Sequence, residues 1–433
     1  MKRLIESKHL VIVMLFFFMM INFADKAVIG LAGPNIMKAF NLTPVEFGFI
    51  GSSFFFLFAI SGIGFGFVAN RYDSHKLVVI LALIWAAVQF PIVASTSYGV
   101  LLASRIVLGF GEGPAYPLAL HTGYQWFENS ERNLPGAIIQ QGAPFGLAVA
   151  GPVLTYIIVY YGWQAAFVFL GSIGFLWVAV WWMLGFAGHK KPPVAAATVT
   201  DTNETFSYGR FFSDPTFISI LLLYFVEFTI TALFFVWVPA YLTAGLQFSK
   251  IETGWIFSIV HFASIPTVLI IAKVSGDMMQ RGVSSRVSRG LVTSLSAVIG
   301  GIFFMMLMTG ISPIAKVMCL TIGTVLASLA FSFGPLMVAE ISPSSRRGGL
   351  LGIMNSVNTL AGLVAPVAMG LFVEANATSA AAGYQRGFLL VGSLLAVSGL
   401  IGVLCMNPEK SRIRLGGNVQ PVPPGAAAGG VHP

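Results

Sequence analysis

The sequence predicts an all-α membrane protein: twelve transmembrane helices forming two pseudo-symmetric six-helix bundles. Three observations lead there. The 433 residues are 56% hydrophobic and 9% charged, with a mean hydropathy of +0.85; soluble domains run about 25% charged. Apolar runs of the length that crosses a bilayer, about twenty residues, recur along the whole chain. The second half also repeats the first. GWQAAFVFLGS at 162–172 returns as GYQRGFLLVGS at 383–393, Gly113–Pro114 as Gly334–Pro335, and Gly151–Pro152 as Ala365–Pro366.

Taken in order, the predicted spans are 10–32, 45–69, 76–94, 98–121, 134–160 and 164–187, then 215–243, 254–276, 289–309, 312–339, 348–372 and 386–406. The first follows Lys2 and Arg3 like a secretory leader. It lacks a clean small-residue cleavage site and contains Asp25–Lys26, so it reads as an uncleaved span. The domain plan is therefore an N-terminal bundle (1–187), a linker (188–213), a C-terminal bundle (214–406) and a Gly/Pro-rich disordered tail (407–433). Twelve crossings put both termini on one side. Lys2, Arg3, Arg71, Lys76, Arg132, Arg281, Arg286, Arg289 and Arg347 are among the many cations on that side. The other side has only Lys38, Lys250, Lys316 and Arg386. The positive-inside rule then makes the termini and the linker cytoplasmic, which for this composition is a better account of the net charge of +8 than nucleic-acid binding.

No catalytic pattern stands out. A GxxxxGK[ST] phosphate loop is missing, so ATP is not expected to supply energy through this chain. Gly62, Gly64, Gly66 and Gly109, Gly111, Gly113 imitate dinucleotide loops but sit inside spans with no βαβ context. Cys319 and Cys405 form neither a disulfide framework nor a metal motif. No cofactor or metal is expected.

The informative residues are the charges inside the spans, where an ionisable group is costly unless it faces a partner or a cavity. In RIVLGFGEGPAYP (105–117), Arg105 and Glu112 are seven apart, two helical turns, on one stripe. The glycines between them allow a close neighbouring helix. Asp25 and Lys26 are adjacent in span one, and Lys26 and Arg105 are the two intramembrane cations. Both pairs also admit a purely structural reading as ion pairs. Glu227, in the middle of LLLYFVEFTITALFF, reads either as a hydrogen-bonded core acid, as a third proton site, or as a contact to a cationic part of a substrate. His121 and His261 are proton-relay candidates or satisfied polar residues. Gln140, Gln141 and Asn358 could bond a substrate or bridge helices. The aromatics Phe54, Phe55, Phe56 and Phe58 read mainly as lipid-facing or packing residues, with one or two lining a cavity.

Five features together resemble the major facilitator superfamily: the repeat, GFVANRYDSHK (66–76), RIVLGFGEG (105–113), GLAVAGP (146–152), and Ser275–Gly276–Asp277 with Arg281. Gly66, Arg71, Asp277 and Arg281 fall on its gating loop motif, although Asn70 stands where that motif usually has Asp. Within the superfamily, Asp25–Lys26, Glu112 before GPAYP, WFENSER (126–132), WVPAYL (237–242) and Asn355 resemble the anion:cation symporter group. Lys26 replaces the group's usual Arg, a point charge in place of a bidentate fork.

The resemblance implies a secondary transporter, not an enzyme: proton-coupled uptake of a small organic anion, a carboxylate, by alternating access. It assigns Lys26 and Arg105 to the carboxylate, Asp25 and Glu112 to protons, and Asn355 to the substrate. Gln140, Gln141 and Asn358 are added to the substrate set, and Glu227 to the proton set, from the residues themselves. The expected setting is the plasma (inner) membrane, with the chain functional as a monomer in its lipid bilayer. Two alternatives stand beside this: a carrier of a cationic or zwitterionic solute using Glu227 and Asp25, and a membrane sensor that moves nothing.

Overall fold

The computed structural model describes residues 8–68, 71–95, 97–127, 131–184, 209–343, 347–376 and 379–415. Asn70, nearly all of the linker and the end of the tail lie outside the described residues. Among those described there are helices and no strand. In the first half, α1 (Lys8–Leu31) is followed by a short α2 (Gly33–Phe40). Next come α3 (Pro44–Ser53) and α4 (Phe58–Val68), joined through a turn, and α5 (Ser74–Ala94). The half ends with α6 (Tyr98–Glu112), α7 (Ala115–Tyr124), α8 (Asn133–Tyr161) and α9 (Trp163–Met183). The second half runs α10 (Pro215–Val236), α11 (Lys250–Gln280), α12 (Val292–Met305), α13 (Pro313–Ile341), α14 (Arg347–Glu374) and α15 (Ala380–Cys405).

Among the described residues eleven helical stretches are long and apolar enough to cross a membrane, α3 and α4 counting together as Pro44–Phe65 and α12 extending over Arg286–Met308. The expected fourth span is not among them. The chain breaks there at Gly113–Pro114, leaving α6 with 15 residues and α7 with 10. The proline has no amide hydrogen to continue the ladder. Its counterpart Pro335 lies inside an unbroken α13, as Pro144 and Pro152 do in α8 and Pro366 in α14. A second difference is at the tail. In place of a disordered segment from 407, α16 (Pro408–Arg414) forms, with Asn407 capping Lys410 N at 3.2 Å and Pro408 in its first turn. It docks on the start of α10: Ser411 donates to Asp214 at 2.9 Å, and Arg414 pairs with Asp214 at 3.3 Å.

The repeat is visible in the backbone. Span two opens on a capping box, Thr43 with Glu46, and span eight on another, Ser249 with Glu252. Two residues before each cap the chain turns through a left-handed residue, Asn41 (φ 53°) and Gln247 (φ 63°).

The two halves meet closely at the end away from the termini. Gly48 and Gly51 of α3 lie against Pro366 of α14, and Gly370 lies against Pro44. Across the pseudo-dyad, Gly151 of α8 lies against Gly254 of α11, where Ser258 Oγ also donates to the Ala148 carbonyl. Gly30 of α1 touches the Phe235 carbonyl of α10. A polar contact finishes the seal, Lys250 Nζ donating to Asn35 Oδ1 at 3.0 Å, while Trp237 Nε1 donates to Pro366 O at 2.8 Å within the second half. At the terminal end, Gly64, Gly276, Gly348 and Gly352 have open space where a side chain would stand. Among the described residues, the close glycine contacts between the halves lie at the end away from the termini.

Candidate functional site

The site is built from α1, α5 and α6 of the first half. Asn22 and Lys26 are one turn apart on α1, so their side chains meet. Lys26 Nζ donates to Asn22 Oδ1 at 2.7 Å and lies 4.3 Å from the Phe23 ring centroid. The same ammonium contacts Glu112 Oε2 at 2.5 Å, with the two side chains 10% and 0% exposed. Glu112 ends α6, and the glycines explain how it comes so near. At Gly109 and Gly113 an added Cβ would run into the carbonyls of Phe54 and Phe58, so the second span lies directly on the fourth.

Asp25, 1% exposed, projects about 100° around the helix from Lys26 and has an Oδ1 without a hydrogen-bond partner. It lies within electrostatic reach of Glu112, Arg105 and Lys26. Gln89 of α5 sits beside it, fully buried, its amide making no hydrogen bond of normal geometry. Arg105, 2% exposed, has unpartnered Nε and Nη2, and its guanidinium lies 5.6 Å from the Phe167 ring centroid. Four charged groups, two of each sign, are thus gathered out of water, where a cation with free donors strongly favours an anion.

Lys26 and Arg105 both face a cavity of about 20 Å³ completed by Ile29, Gly51, Phe54, Phe55, Ala232, Phe235 and Val236. Both halves line it. Its volume holds about one water molecule, so the side chains fill most of the space around the charges. Phe54 and Phe55 are 7% and 5% exposed, packed at this interface, while Phe56 is 39% exposed.

The other sequence candidates are placed less centrally. Gln140 and Asn355 are exposed on α8 and α14, and Gln141 is half-buried with an unpartnered Oε1; none lines the cavity. Asn358 is buried in α14. Glu227, 5% exposed in α10, accepts from Thr231 Oγ1 at 2.9 Å. His261 is held by the Phe257 carbonyl at 2.8 Å and packed against Phe234, and His121 meets Gln125 at 3.1 Å. At the terminal end, Gly66 lies near the end of α4, Arg71 is exposed, and Asp277 and Arg281 share only a backbone bond that ends α11. Asn22 and Gln89 are the residues that sequence reasoning missed. The signal was present, since each is a lone amide inside an apolar run.

A profile of the Major Facilitator Superfamily matches residues 15–366. The chain belongs to the major facilitator superfamily. Solved structures of the superfamily share the fold. A bacterial homolog of the human lysosomal transporter Spinster, in an inward-facing and occupied conformation, superposes with a TM-score of 0.78 at 15% identity, covering 94% of this chain and 98% of that one. A D-xylose-proton symporter gives 0.75 at 17% identity, covering 94% and 99%. Among curated relatives, the "Probable sulfoacetate transporter SauU" of Cupriavidus necator is 26% identical, covering 94% of this chain and 96% of its own length. The "Probable galactarate/D-glucarate transporter GarP" of Escherichia coli K12 is 24% identical, covering 86% and 90%. The "Hexuronate transporter" of Bacillus subtilis is 24% identical, covering 93% and 96%. These relatives agree with the anion:cation symporter group. This superfamily member is a multi-pass membrane transporter and not an enzyme.

Proposed function

We propose that this transporter takes up a small organic anion, a carboxylate, together with protons, by alternating access of its two bundles. One observation carries the reading: Lys26 is held by Glu112 at 2.5 Å beside an Arg105 with free donors, and both cations face a small cavity between the halves. A carboxylate entering that cavity needs Lys26 and Arg105, and Glu112 competes for Lys26. A proton on Glu112 removes its charge and frees the ammonium, so proton and anion load together. Asp25 is the second carboxyl that a proton can neutralise, and Gln89 lies beside it. The relatives support an anionic substrate, since they are named as transporters of sulfoacetate, galactarate, D-glucarate and hexuronate.

The positive-inside rule and the close contact of the halves at the far end support an inward-facing state of a plasma-membrane protein with cytoplasmic termini. The chain acts as a monomer, because each half supplies one wall of the site. The test is accumulation in proteoliposomes. An imposed pH gradient, acidic outside, should concentrate labelled organic acids, and a protonophore should abolish this. Accumulation that follows sodium and ignores pH would overturn the proposal.

A further inference from the structure

Asp25 has a neighbour on α5 to which no role has yet been given. Helices α1 and α5 meet through Phe18 and Trp85, whose ring centroids are 4.6 Å apart. One turn further along each helix stand Asn22 and Gln89. Asp25 continues the Phe18–Asn22 stripe by another turn, at the i, i+4, i+7 spacing of one helix face. Gln89 is fully buried beside it. Close packing holds α5 in place: Gly171 and Gly174 of α9 lie on Phe90 and Ala86, and Gly111 of α6 lies on Ile84.

Four polar atoms at this contact have no hydrogen-bond partner: Asn22 Nδ2, Gln89 Oε1, Gln89 Nε2 and Asp25 Oδ1. Asn22 Oδ1 is taken by Lys26, so the free end of that amide is its donor. Gln89 offers one donor and one acceptor in either orientation. The four therefore match as a chain, Asn22 donating to Gln89 and Gln89 to Asp25. A buried amide left unbonded is costly, and an apolar span has little else to offer it.

The carboxyl and the amide also match when the proton changes. An ionised Asp25 accepts from the Gln89 amide nitrogen. A protonated Asp25 donates its hydroxyl to the amide oxygen, after rotation of that amide. The charged groups around the pair are Lys26 on α1 and Arg105 and Glu112 on α6. Helix α9 carries no titratable residue. Other titratable groups of the packed helices lie apart. Lys8, His9, His75 and Lys76 begin α1 and α5 at the terminal end, and Tyr98 begins α6 at the other. On α7, Tyr116, His121 and Tyr124 turn to Tyr224, Gln125 and Arg132.

We propose that Gln89 is a positioning residue for the coupled proton, holding the Asp25 carboxyl in both of its protonation states. The inference rests on the reading of Asp25 as a proton carrier and deepens it. Asn22 anchors the other end of the Gln89 amide while Asp25 is ionised.

The test follows the Asp25 proton itself and needs no substrate. Infrared difference spectra of the purified full chain, recorded as pH is lowered, show a carboxylic C=O stretch for each acid that gains a proton. The Asp25 band is the one missing from Asp25→Asn. In Gln89→Leu its half-protonation pH should rise by about one unit or more, because the bond lost by the ionised carboxylate is stronger than the bond lost by the neutral acid. Its frequency should rise too, as for a carboxyl that has lost a hydrogen bond. Gln89→Met, also apolar and unbranched, gives the same readout if the leucine variant does not fold. A band that keeps its wild-type midpoint and frequency in the apolar variant would overturn the inference. So would a wild-type protein with no Asp25 band at any pH, which removes Asp25 from the proton carriers. The symport reading is decided separately, by pH-driven accumulation in proteoliposomes, and survives either result.

Discussion

Lys26 is the residue on which the charge balance turns. Its ammonium serves Asn22 and Glu112 at once. Lys26→Ala leaves Glu112 buried with its nearest cation gone, and deleting one partner of a buried pair typically costs about 3–5 kcal/mol. Lys26→Ala should therefore melt well below wild type, and adding Glu112→Gln to it should restore much of the loss. Neither protein should bind organic acids, which calorimetry would show. Recovered binding in the double variant would remove Lys26 from the substrate site. Arg105→Ala should lose binding with a smaller effect on melting, because its Nε and Nη2 already lack partners. The sequence made the charges legible, since any ionisable group in an apolar span is conspicuous. It did not make the pairing legible. The i, i+7 spacing puts Arg105 and Glu112 on one stripe, yet the partner of Glu112 comes from another helix, whose approach depends on packing.

At the scale of elements, the glycines decide how near the helices come. Gly109 and Gly113 seat the fourth span on the Phe54 and Phe58 carbonyls, and that contact helps deliver Glu112 to Lys26. Gly109→Val would force the two spans apart by the width of a side chain; transport should fall at least about tenfold, since a displacement near 1 Å costs that much or more. Transport assays on Gly64→Val supply the contrast, because that position opens on space and should tolerate the change. Wild-type transport by Gly109→Val would show that the close approach is dispensable. Span positions and the repeat were readable from hydropathy and motif. The break in span four was not, because Gly-Pro also occurs in α13 without one. Nor was α16, whose cap and first-turn proline lie next to a Gly/Pro-rich run that dominates the composition.

At the scale of the whole molecule, the end away from the termini is held by contacts that must part in each cycle. Cysteines at Asn35 and Lys250, whose side chains meet at 3.0 Å, should cross-link with a short bifunctional reagent in a Cys405→Ser background and stop transport until cleaved. Transport that persists when the link is complete would mean that this end never opens. The central claim concerns coupling across the cycle, and Glu112→Gln tests it most directly. Glutamine keeps the shape of a protonated glutamate but has no proton to release. In proteoliposomes this variant should still bind labelled organic acid and exchange it across the membrane, yet fail to accumulate it on a pH gradient. Accumulation at the wild-type level would contradict the account.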